Sequence, residues 1–123
     1  MKRLLREWKA IAHERELQRE FTKFDQVMER WRNGEVSSGE LGILAEDFGK
    51  GPIHALLEDY NSSLYDMNVA YAVATGILQR EELPPALVDA IERQLTFYEE
   101  RRNRGELASP EECLAQYHKR KRN

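Results

Sequence analysis

The feature that most constrains this chain is the spacing of its large apolar side chains, which recur at steps of four and three. Leu17, Phe21, Phe24, Met28 and Trp31 keep that rhythm, and so do Ile53, Leu57, Tyr60, Leu64, Met67, Tyr71, Ala74 and Leu78. Steps of four and three hold side chains on one face of a 3.6-residue helix, whereas a strand needs a period of two. No alternating run, internal repeat or low-complexity segment competes, so the chain reads as all-α. Upstream, Leu4, Trp8 and Ile11 have the same spacing, but the step from Ile11 to Leu17 is one residue short of the regular phase. The stripe shifts sideways there, which predicts packing against more than one partner helix rather than a coiled-coil seam. A helix from Leu4 to about Trp31 would be roughly 40 Å long.

Turn chemistry divides the remainder. Asn33-Gly34 supplies a stop tolerant of positive φ, and Ser37 followed by Glu40 has capping-box spacing ahead of a short helix over Ser38 to Phe48. Gly49-Lys50-Gly51-Pro52 reads as a hinge, with Pro52 in the first turn of the next helix. That helix is expected to run from Pro52 to about Glu82, with a break at Asn61 to Ser63 as the alternative. Pro84-Pro85 closes it, and another helix begins near Pro85, presenting Leu87, Val88, Ile91, Leu95 and Tyr98 and stopping at Gly105. Ser109-Pro110-Glu111-Glu112 is a second capping box, opening a short final helix with Leu114 and Tyr117 as contacts. The expectation is a small antiparallel bundle of three main helices and two short ones. It forms one domain over residues 1–118 with a basic tail over 119–123.

Composition narrows function by exclusion. The formal charge is −3, so no global field attracts nucleic acid, although both termini are basic and the middle is acidic. One cysteine, Cys113, rules out an internal disulfide framework and fits a reducing, cytoplasmic setting. The start has no continuous apolar core of an export signal, and the most apolar run, Val69 to Leu78, is far shorter than a bilayer requires. No transmembrane segment is expected.

Catalytic and metal chemistry find little footing. His13, His54 and His118 fall on different elements without ligand-spaced motifs, so no metal or cofactor is expected. Adjacent acids such as Glu58-Asp59 diverge by about 100° on a helix and do not pair as acid and base. No catalytic residue is singled out, and a non-enzymatic role is favoured over an enzyme.

Three site candidates remain. Phe21, Phe24, Met28 and Trp31 form an aromatic face suited to self-association or to another protein, which predicts a homodimeric interaction or adaptor module with a protein partner. A polar site between helices near His54, Glu58, Tyr60, Asp66 and Asn68 is the alternative, for a small ligand or an enzyme. Asn68 needs hydrogen-bond partners if it is buried. The weakest is contact with a nucleic acid or other anion through Lys119, Arg120, Lys121 and Arg122, which requires the two basic termini to converge.

Overall fold

The computed structural model describes residues 1–122, and of His118, Arg120, Lys121 and Arg122 the backbone alone. The described residues form an all-α bundle without strands. The α-helices are α1 (Lys2–Arg32), α2 (Ser38–Phe48), α3 (His54–Tyr60), α4 (Tyr65–Ala74), α5 (Pro85–Ala90), α6 (Glu92–Asn103) and α7 (Pro110–Arg122). α1, with 31 residues, is the longest; none of the other α-helical segments exceeds 13 on its own, but α2 and α3 join end to end across Gly49–Ile53. The basic tail does not begin at 119 as a separate segment, because α7 carries helical backbone through Arg122.

The predicted helix ends form by the expected chemistry. Gly34, at φ 78°, stops α1: its N–H donates to Trp31 O at 3.1 Å and that of Glu35 to Arg30 O at 2.9 Å. Two terminal carbonyls are thereby satisfied. Ser37 Oγ accepts the Glu40 N–H at 3.1 Å. At α7 the box is reciprocal, with Ser109 Oγ accepting from Glu112 N–H at 3.1 Å and Glu112 Oε1 from Ser109 N–H at 3.3 Å.

The hinge expected at Gly49 to Pro52 is absent. Backbone angles stay helical from Phe48 (φ −62°, ψ −46°) to His54 (φ −66°, ψ −39°), and Gly49–Ile53 form a π turn. Pro52 has no N–H to donate and its ring crowds the carbonyl four residues back; a wider turn accommodates both. Consequently α2 and α3 make one continuous rod.

The expected helix from Pro52 to Glu82 breaks twice instead. Asn61 and Leu64 leave helical geometry, and Ser62 Oγ takes the Leu64 N–H at 3.0 Å. Short polar side chains here offer the backbone a local partner that competes with the helix. Leu57 and Leu64 therefore fall out of the apolar stripe and stand 55% and 60% exposed. The second break comes after Ala74, where Gly76 at φ 84° turns the chain toward a 3-10 turn at Arg80–Glu82.

The α2–α3 rod runs back along α1, since Trp31 meets Ser38, Phe24 stacks on Phe48 and His13 stacks on Tyr60. That pair is antiparallel as expected. In contrast, α4 and α6 run the same way: Gln94 Nε2 donates to Asp66 at 2.8 Å, Tyr71 meets Tyr98 edge-on at 5.6 Å, and Arg102 donates to Ala74 O at 2.9 Å. The connection through α5 returns the chain far enough to permit this. Between α1 and α6, Val69, Ala70, Ala72 and Ala74 are buried on nearly every side of α4, their small volume allowing helices close on both faces. Leu78, Leu83, Leu87, Ile91 and Leu95 complete the core, each worth about 1.5–3 kcal/mol on full burial.

The slip between Ile11 and Leu17 is a change of neighbour within an unbroken helix. Leu4, Leu5, Trp8, Ile11 and Leu17 pack on the core, whereas Phe21 and Phe24, further along, meet Phe48 of α2. The buried residues of α1 are Ala12, Glu16 and Glu20, four apart, on the line the slip opens.

Candidate functional site

Two features stand out where chain and solvent meet. The first is an arm formed by the second half of α1 and by α2. Phe48 inserts between Phe21 and Phe24, edge-on to the former at 5.2 Å and stacked on the latter at 4.6 Å. Trp31 Nε1 donates to Ser38 Oγ at 3.1 Å at the arm's tip. Although α2 carries Leu41, Ile43, Leu44 and Phe48, none of its residues is buried. Phe21, Trp31 and Ile43 are 52%, 38% and 64% exposed, and Phe24 and Met28 only partly covered. An apolar groove opens between Phe24, Val27, Leu44 and Phe48, flanked by Glu20, Lys23 and Asp47. All four aromatic-face residues named from the sequence thus lie on this arm.

The second is a solvent-open cavity of about 360 Å³ lined by residues of α1, α3, α4, α6 and α7. Of the polar site expected from the sequence, Tyr60 and Asn68 line it. The other three residues do not. His54 and Glu58 pair with each other on the exposed side of α3 (Nε2 to Oε1, 3.0 Å), because positions four apart share a face. Asp66 turns toward α6 and accepts from Gln94 at 2.8 Å. Asn68 is half-buried, with its Nδ2 donating to Asp59 O at 3.2 Å and its Oδ1 buried without a partner among the described residues.

The rest of the wall includes Glu16, Tyr71 and Cys113. Glu16 is 4% exposed and lies 3.5 Å from Arg19 Nη2. Burial pushes its carboxyl above the usual carboxylate range, against the opposing pull of Tyr60 and Arg19. Tyr71 donates to Ala108 O at 2.8 Å, with Cys113 Sγ 3.4 Å from the same hydroxyl. Burial, with help from the neighbouring Glu16 and Cys113 respectively, raises the Tyr60 and Tyr71 phenols, so both stay protonated donors. His13, stacked on Tyr60 at 4.8 Å, is lowered chiefly by burial and favours its neutral form.

The basic termini occupy separate places among the described residues. Arg3 pairs with Glu7, while Arg6 and Lys9 lie over the Tyr65 ring at 5.9 and 4.5 Å. Lys119 borders a depression with Glu20, Lys23 and Glu111, roughly 25 Å further along α1 by the helical rise. The side chains of Arg120, Lys121, Arg122 and His118 lie outside the described residues. No group of three or more His, Cys, Asp or Glu among the described residues is arranged to hold a metal, and no described helix is long and apolar enough to cross a membrane.

Among the described residues, the fold and these features define an all-α bundle with an exposed apolar arm and a tyrosine-lined cavity. No protein-family model, curated protein or solved structure matches the chain.

Proposed function

We propose that this chain is a non-enzymatic helical interaction module that works as a homodimer joined through the α1–α2 arm. The observation that carries the reading is that α2 has an apolar face without one buried residue, beside an exposed Phe21 and Trp31. A two-helix hairpin covers only one side of each helix. Two such hairpins laid face to face make a four-helix bundle, the commonest way to bury what a hairpin leaves open. Phe21, Trp31 and Phe48 would then supply the large rigid contacts that dominate interface energy. Residues 21–32 and α2 each extend roughly 17 Å, so a pair of arms would bury on the order of 1,000 Å², at the small end of specific interfaces. Association in the micromolar range follows. A reducing, cytoplasmic setting belongs to the same reading, supported by the free thiol of Cys113. Light scattering behind size exclusion, on wild type and on Phe21→Glu, tests it. The wild type should shift toward twice the monomer mass as concentration rises, and the variant should stay monomeric; identical masses for both at every concentration reject it.

A further inference from the structure

We propose that the two arms meet tip to tip about a two-fold axis running along them, so that α1 of each copy lies on α2 of the other. Lys23 and Arg30 then pair with the second copy's Asp47 and Glu40. The inference rests on the homodimer reading above and fixes its geometry and its charged contacts.

A short pattern in the sequence underlies it. On α1, Phe24, Val27 and Trp31 are three and four residues apart, and on α2 so are Leu41, Leu44 and Phe48. Each set forms one apolar line about two turns long. The residue just before the first and the last member of each line is charged: Lys23 and Arg30 on α1, Glu40 and Asp47 on α2. One helix of the arm thus has a basic margin and the other an acidic one.

Both margins face the same open side. Phe24, Val27, Leu44 and Phe48 line the groove of the arm, with Lys23 and Asp47 from opposite helices at its edges. Arg30 is seven residues after Lys23 and Glu40 seven before Asp47, close to two full turns, which keeps each on the edge of its own helix. Ile43, four residues before Asp47, stands exposed beside the acidic edge. The stacking of Phe24 on Phe48 and the bond from Trp31 to Ser38 set the levels. Lys23 is level with Asp47 at the base of the arm, and Arg30 with Glu40 near its tip.

These charges are open to a second copy. Glu40 and Asp47 are exposed and enter no ion pair among the described residues. Arg30 is more than half exposed and meets Glu35 only at 3.8 Å. Lys23 keeps about half of its side chain in solvent beside its 3.2 Å contact with Glu20.

Two identical hairpins can close face to face about an axis across the arms or about one along them. With the axis across, α1 lies on α1 and α2 on α2 with their ends reversed, so Lys23 faces Arg30 and Asp47 faces Glu40. Every flanking contact then joins like charges. With the axis along the arms, α1 lies on α2 level for level, and every one of those contacts joins opposite charges. The apolar floor serves both arrangements, so the margins decide between them, chiefly by the repulsion that the wrong one would meet.

Sedimentation equilibrium at low salt on Arg30→Glu, on Glu40→Lys and on the chain carrying both tests the arrangement. Each single substitution turns attraction into repulsion near the tip and should weaken the dimer several-fold, whereas the double substitution should return association to within about twofold of wild type. Both positions are exposed, so all three variants should keep the wild-type melting profile at concentrations where the chain is monomeric. With the axis across the arms, each single substitution would instead tighten the dimer by relieving repulsion against Lys23 or Asp47. Disulfide formation between single-cysteine chains on a Cys113→Ser background reads the orientation independently. A mixture of Lys23→Cys and Asp47→Cys chains should join far more readily than one of Lys23→Cys and Arg30→Cys chains. Singles that tighten or leave association unchanged, a double that does not recover it, or the reverse order of cross-linking overturns the arrangement, and a dimer that persists in those experiments leaves the homodimer reading standing. A wild-type chain that stays monomeric overturns both.

Discussion

Glu82→Gln is the substitution with the most fully worked consequence. Arg15 Nη1 and Nη2 hold the two Glu82 oxygens at 2.8 and 2.6 Å, Nη1 also donates to Ile77 O at 2.9 Å, and Glu82 Oε2 accepts the Gln79 N–H at 2.7 Å. This cluster ties α1 to the turn that carries the chain from α4 to α5. The side chains of Arg15 and Glu82 are 39% and 29% exposed, between the fully solvated and the shielded cases. An exposed pair contributes about 0.2–1 kcal/mol and a shielded charge-assisted bond about 1.5–3, which puts the loss for Glu82→Gln at about 1–2 kcal/mol at pH 7. With a urea dependence of about 1.5 kcal/mol per molar, the unfolding midpoint should fall by about 0.7–1.3 M. The side-chain hydrogen bond from Arg15 and the backbone bond from Gln79 hold the Glu82 carboxyl down to about 2. A depressed carboxylate stabilises the fold above its ordinary value near 4.5 and loses that contribution as pH falls through the folded value. The wild-type and variant stabilities should therefore converge as the pH approaches 2. Urea titrations at fixed protein concentration over pH 2–7 measure this. A gap below about 0.3 kcal/mol at pH 7, or one that persists unchanged at pH 2, refutes the clamp.

Other perturbations separate the core from the cavity wall. Glu16 has its carboxyl raised by burial, so its contribution is greatest below the ordinary value near 4.5 and declines as pH climbs through the folded one. The stability of Glu16→Gln relative to wild type should accordingly grow from pH 4.5 to 7, and a difference independent of pH contradicts that assignment. Leu95→Ala removes a fully buried side chain of α6 and should cost about 2.5–4 kcal/mol in chemical denaturation; a loss under about 1 kcal/mol would mean that α6 is not held against the core.

Much of this fold is legible in the sequence because it depends on local chemistry. The stops at Gly34 and Gly105, the caps at Ser37 and Ser109 and the extent of α1 each follow from a few neighbouring residues. The misreadings arise where local signals conflict. Pro52 normally opens a helix, and only the packing of a continuous α2–α3 rod on α1 makes a π turn the better solution. Across Asn61 to Ser63 the apolar rhythm continues by coincidence, while Ser62 and Asn68 supply the bonds that stabilise a break. The cavity was half visible. Tyr60 and Asn68 belong to the expected polar site and Glu16 does not, although the slip between Ile11 and Leu17 is the sign that another line of α1 faces inward. Tyr71 and Cys113 meet across 42 residues, a distance that spacing rules do not reach. His54 and Glu58, by contrast, satisfy each other on an exposed face and never enter the cavity.

The arm is the centre of this account, and sedimentation equilibrium from about 5 to 500 µM measures it most directly, since an interface on the order of 1,000 Å² should associate within that range. A single monomer–dimer equilibrium is expected for the wild type, abolished by Ile43→Glu on α2, whose side chain is already solvent-exposed and whose replacement leaves the core intact. A wild-type chain that remains monomeric to 500 µM, or a dimer that Ile43→Glu and Phe21→Glu both leave unchanged, contradicts it.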